Sequence, residues 1–192
     1  MAKERKKKVL IAGLGRSGMA AARLLSAQNA EVYGYDEKSK EAFPTESREE
    51  LDALGVHCYF GRDPAVRDVD QIIVSPGLPL NLPVIVHARQ AGAEVIGELE
   101  LAFRNSRSPF VAITGTNGKT TTTALVGEMY RLAAYPHRVV GNIGMPAAEQ
   151  VMRAGPETVM VTEVPVFSWK RSRRFGPMWR RSSILRRIIW TG

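Results

Sequence analysis

An α/β fold with two successive parallel sheets is predicted by three observations. Short β-rich runs alternate with helical patterns from Val9 to Val164, and parallel strands need such helical crossovers. Two glycine-rich turns, Gly13-Leu14-Gly15-Arg16-Ser17-Gly18 and Thr114-Gly115-Thr116-Asn117-Gly118-Lys119-Thr120, each follow an apolar run and precede a helical pattern. Between them lies a polar stretch closed by proline, Arg104-Asn105-Ser106-Arg107-Ser108-Pro109, which reads as a linker.

The elements follow in order. Val9–Ala12 is a β-rich run that ends in the first glycine turn, and Ala20–Ala27 reads as a helix with small residues facing the sheet. Glu31–Tyr35 is the next strand, with Asp36 at its end. Glu49–Leu54 is helical, and Gly55 is a stop signal. Val56–Tyr59 is a short strand, and Val69–Val74 is a buried one that runs into Ser75-Pro76-Gly77. Pro83–Ala91 is a helix closed by Gly92, followed by the strand Glu94–Ile96 and the helix Glu98–Phe103. The second sheet begins at Phe110–Ile113 and continues with a helix from Lys119 to about Leu132. A strand at Arg138–Val140, the turn Gly141-Asn142-Ile143-Gly144, a helix from Pro146 and the strand Thr158–Val164 complete it. Ligands in such sheets gather at the carboxyl ends of the strands, so the second glycine loop, Asn142 and Glu163 fall on one edge. The predicted organisation is a Rossmann-like domain over residues 1–105, the first part of a P-loop ATPase α/β domain over 106–164, and a tail over 165–192.

Composition narrows the function classes. Cys58 is the single cysteine, so no internal disulfide forms, which suits a reducing cytoplasm. Met1–Lys8 is basic and runs into Val9-Leu10-Ile11, but Gly13, Gly15 and Arg16 break the apolar region too soon for a signal peptide. No run approaches the ~18 apolar residues of a membrane span. His57, His87 and His137 lie too far apart for a metal-ligand spacing. A cytoplasmic monomer without a membrane partner is expected. The net charge of +8 suggests nucleic acid at first. Its location removes that suggestion. Lys170, Arg171, Arg173, Arg174, Arg180, Arg181, Arg186 and Arg187 carry the whole excess, and residues 165–192 contain no acid. All three tryptophans, Trp169, Trp179 and Trp190, share that tail.

The glycine turns carry the chemistry. In the second, glycines let several backbone N–H groups converge on one anion, and the following helix adds the positive end of its dipole. Gly115, Thr116, Asn117, Gly118, Lys119, Thr120 and Thr121 form the expected ATP loop, with Lys119 on the outer phosphates and the Thr120 hydroxyl on Mg²⁺. The standard G-x-x-x-x-G-K-[ST] spacing would need glycine where this chain has Ile113, so the loop is a compact variant. Glu163, at the end of an apolar strand, is the expected second Mg²⁺ ligand. The first turn fits the Gly13-x-Gly15-x-x-Gly18 dinucleotide fingerprint, and Asp36 lies at the distance expected of a ribose partner. That fingerprint alone leaves NAD, another nucleotide, or close helix packing open. Two phosphate cradles in one chain suggest a substrate with a nucleotide handle and a second nucleotide that supplies energy.

Five motifs in order resemble the Mur ligases of bacterial peptidoglycan synthesis: Gly13–Gly18, Ser75-Pro76-Gly77, Gly97-Glu98-Leu99-Glu100-Leu101, Ile113–Thr123 and Gly141–Gly144. The likeness is greatest to the D-glutamate-adding branch and covers residues 8–164. It implies an ATP-dependent ligase with a UDP-binding first domain, an ATPase middle domain and a Rossmann-like last domain. Its substrates would be UDP-N-acetylmuramoyl-L-alanine and D-glutamate, joined through an acyl phosphate. Carried over by motif, Lys119, Thr120 and Glu163 are the catalytic group, with Mg²⁺ on Thr120 and Glu163. Gly15, Arg16, Ser17, Asp36, Ser75 and Gly77 would hold the UDP, and Asn142 would sit near the muramoyl part.

The tail departs from that family. There the strand ending Thr-Glu-Val continues Ser-Ser-Phe-Gln-Leu-Glu, whereas Val164 is followed by Pro165-Val166-Phe167-Ser168-Trp169-Lys170. One base restored ahead of permitted codons recovers Ser-Ser-Phe-Gln-Leu-Glu-Glu-Ile. The same frame across Phe175–Trp190 permits Arg-Pro-Asn-Val-Ala-Ala-Ile-Leu-Asn-Ile-Thr-Pro-Asp-His-Leu. Part of this is forced, because Met178 and Trp179 have one codon each and their junction encodes valine; codon degeneracy permits the rest. The expectation is a single-base deletion near codons 164–165, an out-of-frame tail at 165–192, and a truncated product without ligase activity. Residues 109–164 would then leave a sheet edge and an apolar face uncovered. The alternative is a non-catalytic UDP- or NAD-binding module whose basic tail meets an anionic partner.

Overall fold

The structure is a computed structural model that describes residues 5–62, 64, 68–164 and 185–191. The chain separates into two compact units, Met1–Ala102 and Phe103–Gly192. Among the described residues no helix is long and apolar enough to cross a membrane.

The first unit holds five parallel strands: β1 (Lys8–Ala12), β2 (Glu31–Asp36), β3 (His57–Phe60), β4 (Gln71–Val74) and β5 (Glu94–Gly97). Their order is β3-β2-β1-β4-β5. Val9, Leu10, Ile11, Ile72 and Ile73 are each at most 1% exposed, which is why β1 and β4 read as continuous apolar runs. Strands covered on both faces have no polar side to alternate with. β2 alternates instead, with Val32 and Gly34 buried and Tyr33 and Tyr35 half-buried. The connections carry α1 (Arg16–Ala27), α2 (Thr45–Ala53) and α3 (Pro83–Gln90), and α4 (Glu98–Arg104) follows β5.

Two helices start earlier than the pattern predicts. Helix α1 begins at Arg16 rather than Ala20, with Gly18 inside its first turn. A Cβ on Gly18 would stand 1.9 Å from the Gly13 carbonyl oxygen, so the helix can begin against the strand end only because this residue has no side chain. Helix α2 begins at Thr45, directly after Pro44, rather than at Glu49. Arg23 of α1 grips Glu50 of α2 with two N–H donors at 2.5 and 2.9 Å, and that pairing holds the Glu50 carboxyl below its usual range. At the amino ends of the strands, the Lys8 amide donates to Asp70 at 2.8 Å. That bond, helped by Arg5, holds the Asp70 carboxyl below its usual range. Buried Gln71 accepts from Lys7 at 3.0 Å and donates to Glu94 at 2.8 Å. Polar groups therefore tie the amino edge of the sheet and leave its carboxyl edge to the turns.

The second unit is a four-stranded parallel sheet of β6 (Phe110–Gly115), β7 (His137–Gly141), β8 (Val159–Glu163) and β9 (Leu185–Thr191), in the order β7-β8-β6-β9. Every residue of β6 and β8 is buried. Helix α5 (Lys119–Leu132) covers one face through Val126 and Tyr130, which pack on Val111, Ile113, Val159 and Val161. At Gly127 a Cβ would meet Val139 Cγ2 at 2.7 Å, so the helix approaches β7 closely there. The short helix α6 (Ala147–Val151) follows β7. On the outer side of α5, Leu125, Met129 and Leu132 are 60%, 61% and 72% exposed.

β7 and β9 are the outermost strands among the described residues, and the edge of β6 is not left uncovered. β9 occupies it, paired in parallel with β6 from Phe110↔Leu185 to Gly115↔Thr191, with an irregularity between Phe110 and Val111. The main chain supplies the ladder, and Ile188, Ile189, Trp190 and Thr191 are strand-forming residue types. Residues 165–184 and 192, the rest of the expected tail, lie outside the described residues. A chain ending at residue 184 would expose the N–H and C=O groups along β6. It is expected to self-associate in size-exclusion light scattering and to lose amide-exchange protection over residues 110–115. Equal mass and equal protection in the two chains would contradict this account of the edge.

Candidate functional site

The first cradle is built where the strand order reverses, between β1 and β4. The chain leaves β1 at Gly13, whose φ of +85° suits glycine. Neighbouring strands pin that turn from both sides. The Gly13 N–H donates to the Tyr35 carbonyl at 2.7 Å, and the Ser75 hydroxyl donates to the Gly13 carbonyl at 2.7 Å. The Leu14 N–H donates to Asp36 Oδ2 at 2.9 Å. The other oxygen of Asp36 accepts from the Lys38 N–H at 3.1 Å. Gly15 then caps α1 without a side-chain hydrogen bond, and nothing lies within 4 Å of where its Cβ would be. The three glycines therefore do three jobs: Gly13 turns, Gly15 leaves room above the helix terminus, and Gly18 lets the helix reach the strand. Gly77, with φ +91° and open space at its Cβ position, follows Ser75 on the same carboxyl edge.

The second cradle joins three strand ends. The loop leaves β6 after Gly115, and Gly118 caps α5 in a left-handed conformation, φ +71° and ψ 0°, with no side-chain cap. The amides of the first turn thus face the loop without a capping side chain. Lys119 folds back so that its ammonium donates to the Gly115 carbonyl at 2.9 Å and the Thr116 carbonyl at 3.2 Å. Thr123, buried on the inner side of α5, donates to the Lys119 carbonyl at 2.8 Å. β8 lies directly beside β6, with Glu163 in register with Ile113 on one side and Gly141 on the other. Glu163 is 1% exposed. Its Oε2 accepts from the Thr120 hydroxyl at 3.0 Å, and its Oε1 accepts from Asn142 Nδ2 at 3.0 Å.

This arrangement suits a divalent cation held partly by phosphates. Among the described residues no cluster of three or more His, Cys, Asp or Glu forms an all-protein metal cage. One carboxylate and one hydroxyl beside a phosphate loop make a hard oxygen set, and Mg²⁺ commonly completes such a set with nucleotide phosphates and water.

Two family models account for most of the chain. Residues 7–97 match the Mur ligase MurD-like N-terminal domain, and residues 113–177 match the Mur ligase middle domain. The chain belongs to the Mur ligase family. A UDP-N-acetylmuramoylalanine–D-glutamate ligase of Pelotomaculum thermopropionicum is 45% identical over 174 residues, which is 90% of this chain and 38% of that protein. The protein of the same name from Caldanaerobacter subterraneus subsp. tengcongensis is 41% identical over 175 residues, covering 90% of this chain and 39% of the relative. The chain thus spans about 38% of the length of the curated relatives it matches. Among solved structures, a UDP-N-acetylmuramate:L-alanyl-gamma-D-glutamyl-meso-diaminopimelate ligase from Neisseria meningitides superposes with a TM-score of 0.51 at 21% identity, covering 83% of this chain and 52% of that one. At that identity the likeness speaks for the fold.

The Mur ligase motifs thus resolve into two groups. Gly15, Arg16, Ser17, Asp36, Ser75 and Gly77 lie at the carboxyl edge of the first sheet, and Gly115–Thr121, Asn142 and Glu163 lie at the carboxyl edge of the second. Three roles escaped the sequence. Ser75 is a clamp on Gly13, and Leu14 supplies the amide that Asp36 accepts. Gly141, with φ +105°, would place a Cβ 2.3 Å from the Glu163 carbonyl oxygen, so it is the point of closest approach between β7 and β8. A glycine at a strand end just before a polar residue is the one local signal for it.

The glycines yield a paired test. Gly18→Ala is expected to cost about 1–3 kcal/mol in urea unfolding, because the backbone must shift. Gly15→Ala is expected to leave stability within about 0.5 kcal/mol and to weaken nucleotide binding to the first unit, measured by calorimetry. A stable Gly18→Ala chain, or a Gly15→Ala chain that binds normally, would contradict the division of labour.

Proposed function

We propose that this chain carries the UDP-substrate and ATP sites of a UDP-N-acetylmuramoyl-L-alanine:D-glutamate ligase acting in the cytoplasm. The Thr120–Glu163 hydrogen bond at 3.0 Å carries the reading, because it joins the first turn after a phosphate loop to an acid on the adjoining strand. The curated relatives' names and the order of the motifs support the choice of substrate. Gly15, Arg16, Ser17, Asp36, Ser75 and Gly77 would hold the uridine diphosphate. Gly115–Thr121 would hold ATP.

A carboxylate is a poor electrophile, so the reaction needs activation. The substrate carboxylate oxygen would attack the γ-phosphorus of ATP, the bond to the β-phosphate oxygen would break, and ADP would leave. The D-glutamate amine would then attack the acyl carbon, lose a proton, and expel phosphate. Mg²⁺, held by Thr120 and Glu163, would supply charge neutralisation for the transferring phosphoryl group. Lys119 would exchange its two loop carbonyls for the outer phosphates. The protein's part is positioning and electrostatic stabilisation.

The tail remains part of the proposal. Its abrupt charge supports an out-of-frame origin, whereas the middle-domain match that runs on to residue 177 is what an in-frame tail would give. The nucleotide sequence from codon 160 separates the two: a missing base at codons 164–165 supports the first, and an intact frame in independent clones overturns it.

Binding measurements test the function. ATP is expected to bind more tightly with Mg²⁺ than with EDTA. Lys119→Ala is expected to weaken ATP by about 10–100-fold, the worth of a charge-assisted contact. UDP-N-acetylmuramoyl-L-alanine is expected to saturate the first unit and NAD is not. Expressed by themselves, these 192 residues are expected to bind both ligands without forming the amide. NAD binding in place of the UDP compound would favour a non-catalytic dinucleotide module instead.

A further inference from the structure

Glu163 is held by two donors of different kinds. Thr120 offers a hydroxyl, which both donates and accepts and can turn a lone pair toward a cation. Asn142 offers an amide N–H, which can only donate. The amide is also the better anchored of the two. Gly141 stands in register with Glu163, and its φ of +105° lets the backbones approach within a distance no Cβ would allow. The Asn142 N–H then donates to the Glu163 carbonyl at 3.3 Å, while its side chain reaches the carboxylate of the same residue at 3.0 Å. Gly144, φ +81°, closes the turn back onto β7, where a Cβ would lie 2.5 Å from the Val139 carbonyl oxygen. The turn after β7 is therefore fastened to the end of β8 by main chain and by side chain.

We propose that Asn142 is a positioning residue for the cation site. It fixes Glu163 through Oε1 and leaves Oε2, on the Thr120 side, as the oxygen that meets the metal. The family resemblance implies that Asn142 sits near the muramoyl part of the substrate; in the structure its amide nitrogen donates to Glu163. A buried carboxylate that lost one donor would swing or draw in water to satisfy the freed oxygen. Partners that orient a ligand in this way commonly change metal affinity by about 10–100-fold when removed. The inference rests on the reading of Thr120 and Glu163 as the Mg²⁺ site.

The test uses the 192-residue chain and a fluorescent ATP analogue titrated in Mg²⁺ and in EDTA. The quantity read is the factor by which Mg²⁺ tightens binding. Asn142→Ala is expected to lower that factor about tenfold or more. In a Glu163→Gln background, which removes the negative carboxylate, Asn142→Ala is expected to lower it no further, because coupled residues are not additive. Asn142→Ser keeps a short donor and is expected to fall between alanine and wild type. An Asn142→Ala chain that keeps the full factor, or loses it equally in both backgrounds, overturns the inference alone. A wild-type chain that binds the analogue equally with Mg²⁺ and EDTA overturns the underlying reading, and the inference falls with it.

Discussion

The register of β8 between β6 and β7 is the constraint on which the second unit's chemistry depends. Ile113, Glu163 and Gly141 stand side by side across three parallel strands. That alignment brings a carboxylate under the first turn of α5 and under the turn after β7 at once. A slip of one residue would send the last side chain of β8 to the opposite face of the sheet. Thr120 and Asn142 would then have no common partner. The register is secured upstream by residues that do no chemistry: Met160, Val161 and Thr162 are all fully buried beside β6. The site is therefore an end-effect of a packed sheet, and its geometry is as rigid as the apolar strand that carries it.

The first unit solves a similar problem by different means. There the strand end is followed by a turn that neighbouring groups hold at successive atoms: Tyr35 takes the Gly13 N–H, Ser75 takes its carbonyl, and Asp36 takes the Leu14 N–H. Three residues at or just past strand ends thus define one short loop before the helix begins. In the second unit the loop stays open, and Lys119 satisfies two of its carbonyls from within. A loop pinned by its neighbours is preorganised for one ligand. A loop held by its own lysine must release that ammonium before a phosphate can take it.

Much of this was legible because the informative residues are local. The strand, glycine turn and helix sequence at Phe110–Leu132 is contiguous, and the structure starts and stops α5 where the pattern does. The misreadings have physical causes. Gly18 disfavours a helix by propensity, so the pattern places the start of α1 after it, although tertiary packing against Gly13 requires a helical glycine there. Helix α2, Thr-Glu-Ser-Arg-Glu-Glu-Leu-Asp-Ala, buries Leu51 alone, so little apolar periodicity marks its start. The distance of Asp36 along the chain suggests a ribose partner but does not reveal that its two oxygens accept from Leu14 and Lys38. The Asn142–Glu163 contact joins residues on different strands, and only the strand order brings them together.

The segment after Val164 shows that strand pairing and helix packing make different demands on a sequence. Strand pairing is a main-chain interaction, so the edge of β6 can accept a segment such as Leu185–Thr191 despite its arginines, provided the backbone is extended and strand-forming residues are present. A helix face makes a different demand. Leu125, Met129 and Leu132 present an apolar stripe at helical spacing, and covering it takes side chains of matching shape on a second element. No main-chain ladder can do that. Hence, among the described residues, β9 pairs the edge of β6 while the apolar stripe of α5 stays exposed. Pairing a strand edge and covering an apolar helix face are thus of unequal difficulty: an extended backbone suffices for the first, and the second takes a specific surface.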